Sequence, residues 1–84
     1  MTTGREPPRL VLYSRAGCAL CDEMAGELAA WLAGRPYSVE VRDVDADPVA
    51  QARFGLMVPV LLVDSQPACS GRLDTDLVDE LLTS

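Results

Sequence analysis

Hydrophobic residues along this chain follow strand patterns in some segments and helical spacing in others. Because the two kinds of segment alternate, the sequence predicts an α/β fold. A nearly continuous apolar run at positions 10–13 predicts a short strand over residues 9–14 that is buried on both faces. From residue 19 to about residue 32 the apolar positions recur at helical spacing, which predicts a helix whose apolar stripe is Leu20, Met24, Leu28, Trp31 and Leu32. Gly34 and Pro36 are typical of a helix end.

A second strand and a short helix follow. Residues 37–44 alternate between apolar and polar side chains, which predicts a half-exposed strand at the edge of a sheet. The first two strands can be parallel neighbours joined by a right-handed crossover helix. Asp47 as N-cap and Pro48 at the first helical position then predict a helix that ends near Phe54 and Gly55.

The last third of the chain predicts a hairpin followed by a helix. Residues 60–63 form an apolar strand, residues 64–66 a turn, and residues 67–70 the returning strand, where Pro67 suits an edge position. A final helix carries a predicted buried stripe of Leu77, Val78, Leu81 and Leu82. The resulting order, β-α-β-α-β-β-α, predicts an α/β fold with a four-stranded mixed sheet and three helices.

Length and charge restrict the functions that the chain can have. Its 84 residues suffice for one small domain, predicted over residues 9–84 behind a flexible N-terminal tail at residues 1–8. A net charge of −6 argues against nucleic acid or an anionic membrane as a partner. The chain has no lysine and no histidine, which excludes lysine chemistry and imidazole ligands or bases. No apolar run is long enough for a membrane span, and the polar residues 1–8 lack the apolar region of a signal peptide, so we expect a cytoplasmic protein.

Two cysteines two residues apart are the strongest chemical signal. Cys18 and Cys21 stand between the predicted first strand and the first helix. A cysteine at a helix N-terminus meets unpaired backbone N–H groups and the positive end of the helix dipole, and both favour a thiolate. Cys21, one turn further, could then displace whatever is bound to Cys18. A C-x-x-C pair beside a βαβ pattern is typical of a redox site.

Other interpretations of the cysteines stay open. The pair could be two buried cysteines or half of a metal site, although a metal site needs about four ligands and Cys69 is the one further thiol. Three cysteines do not form the disulfide framework of a small secreted domain. Cys69 itself is either a core thiol on the hairpin or a third reactive sulfur near the pair.

Three landmarks in order resemble the glutaredoxin-like branch of the thioredoxin superfamily. They are the segment Leu12-Tyr13-Ser14-Arg15-Ala16-Gly17-Cys18 with Cys21, then Val58-Pro59, and then Ser70-Gly71. The resemblance covers the chain from about residue 9 to the end and implies a three-layer, thioredoxin-like fold. It implies that Cys18 attacks a disulfide and Cys21 resolves the mixed disulfide. It also implies that Pro59 is cis and faces the cysteines, and that the backbone beside it binds substrate.

The sequence also departs from that family's pattern. Ala19-Leu20 stands between the cysteines, where glutaredoxins often have Pro-Tyr, and Met57 stands where they often have Thr. The two adjacent acids that often follow the glycine turn in glutathione binders are absent, because Asp74 and Asp76 are displaced and separated. The dithiol site therefore carries over well and the glutathione site poorly. Within the family, the chain most resembles short bacterial glutaredoxin-like proteins.

These observations predict a thiol–disulfide oxidoreductase with Cys18 and Cys21 as catalytic residues. The expected substrate-binding residues are Arg15, Val58, Pro59, Gly71 and Arg72. The two arginines fall in loops expected to border the site, where a guanidinium can hold a carboxylate. We expect no metal and no bound cofactor, with glutathione as a candidate co-substrate.

The expected partners are a protein disulfide or a glutathione mixed disulfide, together with a reductase that recycles the site. The protein is expected to be a monomer. The alternatives are a thioredoxin-fold module that binds a protein without catalysis, and a metal or iron–sulfur carrier that uses Cys18.

Overall fold

The computed structural model describes residues 7–83, so positions 1–6 of the predicted tail, and Ser84, lie outside the described residues. Within that range the predicted element order is confirmed. The elements are β1 (Leu10–Ser14), α1 (Ala19–Leu32), β2 (Val39–Asp43), a 3-10 turn (Val44–Ala46), α2 (Pro48–Phe54), β3 (Val60–Val63), β4 (Gln66–Ser70) and α3 (Thr75–Thr83). No described helix is long and apolar enough to cross a membrane.

The sheet has the strand order β2-β1-β3-β4, which makes β1 and β3 its interior strands. β1 runs parallel to β2 and antiparallel to β3, and β3 is antiparallel to β4. Ser14 therefore lies beside Asp43, Tyr13 beside Val60, and Val60 beside Ser70. The ends of β1, β2 and β4 and the beginning of β3 meet at one end of the sheet.

Alternate residues of the interior strands supply two hydrophobic cores, one on each face of the sheet. On one face the sheet packs against α1 and α3. The core on this face, called the α1 core below, consists of Leu10, Leu12, Met24, Leu28, Leu32, Leu61, Val63, Val78 and Leu82. On the other face it packs against α2, with Val11, Tyr13, Val44, Ala50, Phe54, Val60 and Leu62 buried. The predicted burial of β1 on both faces and the three-layer, thioredoxin-like architecture are confirmed.

The edge strands differ in detail from the predicted ones. β2 is an edge strand as predicted, but it begins at Val39, and Val44 already belongs to the 3-10 turn, where it packs under α2. Val39 packs against the α1 core, whereas the side chain of Val41 is 54% exposed because neither helix of that face covers it. At the hairpin the turn is shorter than predicted. Asp64 and Ser65 both have positive φ, as two-residue hairpin turns of type I′ require.

The predicted stripe of α3 was too wide. Val78 and Leu82 are buried and Leu81 is half-buried, but Leu77 is 44% exposed. Residues at i and i+4 lie above one another on a helix, so the pair of Val78 and Leu82 points into the core. Leu77 lies to one side and borders the loop that precedes α3.

Replacement of Leu61 by alanine tests the position of the core. The Leu61 side chain is fully buried in the α1 core, so Leu61→Ala should lower the free energy of unfolding by about 2–5 kcal/mol. Leu56→Ala is the matched control, because Leu56 is fully exposed and its loss should change stability by less than about 0.5 kcal/mol. Urea denaturation measures both values. Equal effects of the two substitutions would contradict the assigned core.

Candidate active site

The turn between β1 and α1 places Cys18 at the beginning of the helix. Gly17 adopts φ +76°, a left-handed conformation that glycine accepts without steric cost and that reverses the chain after β1. Cys18 follows in an extended conformation as the N-cap of α1, and its backbone N–H donates to the Arg15 carbonyl oxygen at 3.3 Å. The sequence prediction that Cys18 stands at a helix N-terminus is confirmed.

The two sulfurs differ in their surroundings. The backbone N–H of Cys21 donates to Sγ of Cys18 at 3.1 Å, so the Cys18 sulfur takes the place of the usual N-cap oxygen. The sulfurs are within disulfide-bonding distance, with 5.2 Å between the Cα atoms. Cys18 is half-buried, whereas only 1% of Cys21 is exposed. Cys18 is therefore the more accessible of the two sulfurs, and a position at a helix N-terminus is one that favours a thiolate.

A second segment reaches the same end of the sheet. The Val58–Pro59 peptide bond is cis, Pro59 is fully buried, and β3 begins at the next residue. Gly71, with φ +76°, donates its N–H to the Pro59 carbonyl oxygen at 2.8 Å. Because Val60 lies beside Tyr13 in the sheet, this segment is on the same side of the molecule as the turn that carries Cys18. Val58, Pro59 and Gly71 are thus brought to the end of the sheet that holds the dithiol.

Arg15 lies in the cysteine turn but its guanidinium is engaged by the protein itself. Nε and Nη2 donate to the two carboxylate oxygens of Asp45 at 2.7 and 2.9 Å, and Nη1 donates to the Gly55 carbonyl oxygen at 2.9 Å. The hydrogen bond from Arg15 holds the pKa of Asp45 below its usual value, and the same bond raises the pKa of Arg15. Sequence reasoning missed this pair, because Asp45 is thirty residues away and resembles part of a helix start.

Arg72 is in a different situation. Its side chain is exposed, and it takes part in no hydrogen bond or ion pair within residues 7–83. It borders a surface pocket of about 300 Å³ between α1 and the loop after β4, lined by Leu20, Glu23, Met24, Glu27, Gly71, Arg72 and Leu73. Of the two arginines predicted to hold substrate, Arg72 is the one whose charge is not already paired.

Cys69 behaves as a core thiol. It is half-buried on β4, beside Leu61 of β3, and it packs against the α1 core. Burial raises the pKa of its thiol, and a hydrogen bond from the backbone of Asp74 offsets this only in part. Cys69 is therefore not activated as a thiolate, which favours the first of the two roles that the sequence left open.

Exposed apolar side chains lie on both segments of the site. Leu20, between the two cysteines, is 54% exposed although it belongs to the apolar stripe predicted for α1. Leu56 is fully exposed and Met57 is 48% exposed, immediately before the Val58–Pro59 bond. Apolar periodicity alone did not distinguish Leu20 from core residues. The signal of the exposed residues in the sequence is their position next to the cysteines and the proline.

Comparison with known proteins gives a consistent result. The model of a family described as Glutaredoxin-like domain (DUF836) matches residues 9–83. The uncharacterized protein Rv0508 of Mycobacterium tuberculosis is 34% identical over 64 residues, which cover 70% of this chain and 66% of that protein. The uncharacterized protein Mb0520 of Mycobacterium bovis matches to the same extent.

Solved structures agree with the family match. Protein Ne2328 from Nitrosomonas europaea, solved by NMR, has a TM-score of 0.81 and 31% identity and covers 98% of this chain and 99% of its own. Protein XcR50 from X. campestris has a TM-score of 0.64 and 30% identity, covering 88% and 95%. A thioredoxin mutant from Halobacterium salinarum, at 20% identity and a TM-score of 0.64, covers 90% and 72% and shows the shared fold.

Relative reactivity of the thiols tests the assignment of the site. In a Cys69→Ser background, alkylation of Cys18 in a Cys21→Ser variant should be faster at about pH 6 than alkylation of Cys21 in a Cys18→Ser variant. The reason is that Cys18 is accessible and accepts the backbone N–H of residue 21, whereas Cys21 is buried. Iodoacetamide rates followed against pH by mass spectrometry give both profiles. A faster Cys21 would reverse the assigned roles.

Proposed function

Because the chain belongs to the glutaredoxin-like domain family, we propose that it is a thiol–disulfide oxidoreductase in which Cys18 attacks and Cys21 resolves. The observation that carries the proposal is the geometry of the dithiol. An accessible sulfur accepts an N–H at a helix N-terminus, and a buried sulfur lies within bonding distance of it. An attacking thiol and a resolving thiol are thereby combined in one helical turn.

The proposed reaction has two exchange steps that balance in atoms and electrons. The Cys18 thiolate attacks one sulfur of the substrate disulfide, whose S–S bond breaks, and the other substrate sulfur leaves as a thiolate and is protonated. Cys21 then attacks Sγ of Cys18, and the substrate's first sulfur departs with the proton of the Cys21 thiol. The substrate gains two electrons as a dithiol, and Cys18 and Cys21 end as a disulfide. A dithiol reductase returns two electrons to the pair.

The segment before Pro59 supplies a surface for an extended substrate. Within residues 7–83 the backbone N–H and C=O of Val58 make no hydrogen bond, although Val58 is half-buried beside the site. A substrate strand can pair with these groups whatever its side chains are, because backbone pairing is tolerant of sequence. This supports a role for Val58 and Pro59 in binding a polypeptide that contains the disulfide.

Charge and surface favour a protein disulfide over glutathione. Glutathione is an anion at neutral pH, and this chain carries a net charge of −6. Asp74 accepts the backbone N–H groups of Asp76 and Leu77, at 3.1 and 3.2 Å, so these donors at the start of α3 are already bonded. Exposed apolar side chains beside the cysteines and the proline instead suit the apolar surface of a protein partner.

Cysteine variants test the proposed roles. With insulin as the protein disulfide and dithiothreitol as reductant, Cys18→Ser should reduce turnover to the uncatalysed rate, because no other thiol is activated at this end of the sheet. Cys21→Ser should stop the dithiol cycle. When this variant is reduced, freed of dithiothreitol and then mixed with insulin, it should accumulate a mixed disulfide at Cys18, visible by non-reducing electrophoresis and mass spectrometry. Cys69→Ser, the matched control, should retain turnover. A mixed disulfide formed at Cys69 would contradict the proposal.

Substrate preference can be measured directly. The value of kcat/KM for a protein disulfide, coupled to thioredoxin reductase, should exceed that for a glutathione mixed disulfide by roughly tenfold at low salt. Added salt should narrow the difference, because it screens the repulsion between glutathione and the acidic protein. Faster turnover of the glutathione substrate, lost on Arg15→Ala, would show that arginine contacts outweigh the net charge.

A further inference from the structure

Arg15 is the cation of the turn that carries Cys18, and the direction of its guanidinium decides which charge a substrate meets there. The backbone of Arg15 accepts the N–H of Cys18 at 3.3 Å, which fixes the residue next to the nucleophile. Its side chain turns toward the 3-10 turn after β2 and the end of α2. Nε and Nη2 bind both carboxylate oxygens of Asp45, and Nη1 binds the Gly55 carbonyl.

The face of Arg15 that binds Asp45 is the face that a substrate carboxylate would need. A guanidinium binds a carboxylate best through two parallel N–H donors, and Asp45 already occupies such a pair. The two side chains are 38% and 39% exposed, so a dissolved anion can approach them and compete. An anionic substrate can therefore use this edge of Arg15 only by displacing Asp45.

Asp45 is itself held in the position that engages Arg15. Gln51 Nε2 donates to Oδ1 of Asp45 at 3.1 Å, and the backbone N–H of Asp45 donates to Oδ1 of Asp43 at 2.9 Å. These contacts hold the Asp45 carboxylate in position before any ligand arrives, so the internal pair forms without a further loss of conformational entropy. An incoming anion must lose entropy when it binds, which favours the internal pair.

We infer that Asp45 is a specificity-determining residue, which pairs with Arg15 and so lowers the affinity of the site for disulfides that carry a carboxylate, such as glutathione disulfide. The inference rests on the proposed attack by Cys18 and identifies the residue that sets the substrate class. It also distinguishes a local mechanism from the repulsion exerted by the net charge of the chain, because a local mechanism requires Arg15.

The test measures mixed-disulfide equilibria at Cys18 instead of turnover. In a Cys21→Ser/Cys69→Ser background, Cys18 is equilibrated with glutathione and its disulfide, or with 2-mercaptoethanol and bis(2-hydroxyethyl) disulfide. In each exchange the Cys18 thiolate forms one S–S bond, the small disulfide loses one, and one small thiol is released. Intact-protein mass spectrometry gives the modified fraction in each buffer.

Asp45→Asn should raise the equilibrium constant for the glutathione adduct about two- to fivefold, the range of an exposed ion pair, and leave that of the neutral adduct unchanged. Asp45→Ala should give at least the same gain, and a second substitution, Arg15→Ala, should remove it. Asp43→Asn is the matched control. It removes one charge two residues away but keeps an amide oxygen for the Asp45 N–H, and it should give a smaller gain.

Several outcomes would overturn the inference. They are an equal change for both adducts, no change for either, a gain that persists with Arg15→Ala, and an equal gain from Asp43→Asn. A Cys18 that forms neither adduct would contradict the proposed function, and this inference with it. Urea unfolding midpoints close to that of the parent protein would show that the variants are folded.

Discussion

Burial of β1 on both faces is the constraint on which the rest of the structure depends. Its side chains alternate between two cores, so one helix layer must cover each face, and β2 and β3 must flank its edges. A strand enclosed in this way ends among the ends of its neighbours. The cysteine turn follows β1 directly, and it therefore meets Asp45 after β2, Pro59 before β3 and Gly71 after β4.

The same helix end requires a cap and carries the proposed nucleophile. The first N–H groups of α1 have no partner within the helix, and Sγ of Cys18 accepts one of them. A neutral thiol is a weak acceptor, whereas a thiolate is a strong one, because hydrogen bonds to charged groups are about twice as strong as neutral ones. The cap is therefore best when Cys18 is deprotonated. Helix stability and thiol reactivity favour the same state of this residue.

Local patterns predicted most of the fold because they depend on neighbours in the chain. The continuous apolar run of β1, the Asp47–Pro48 helix start and the position of Cys18 at the start of the first helix are all short-range features, and each is confirmed. The errors concern the burial of side chains by elements that are distant in the sequence. Periodicity indicates that Leu20 and Leu77 are apolar, but their exposure depends on where other layers end, which no short window contains.

The partner of Arg15 shows the same limit, with a functional consequence. The sequence predicts that Arg15 holds a substrate carboxylate because its loop is expected to border the site. The sheet register sets Asp43 beside Ser14, so the residues after β2 lie next to the cysteine turn, and Asp45 reaches Arg15.

Contact geometry, and not the net charge alone, then determines the electrostatics of the site. Since Arg15 keeps the pKa of Asp45 below its usual value, the carboxylate stays charged throughout the neutral pH range, and the pair is a constant feature there instead of a pH switch. Arg72 on the opposite loop has no such partner among the described residues. The two arginines that resemble each other in the sequence are therefore unequal. Arg15 is engaged by Asp45, whereas Arg72 is engaged by none of the described residues.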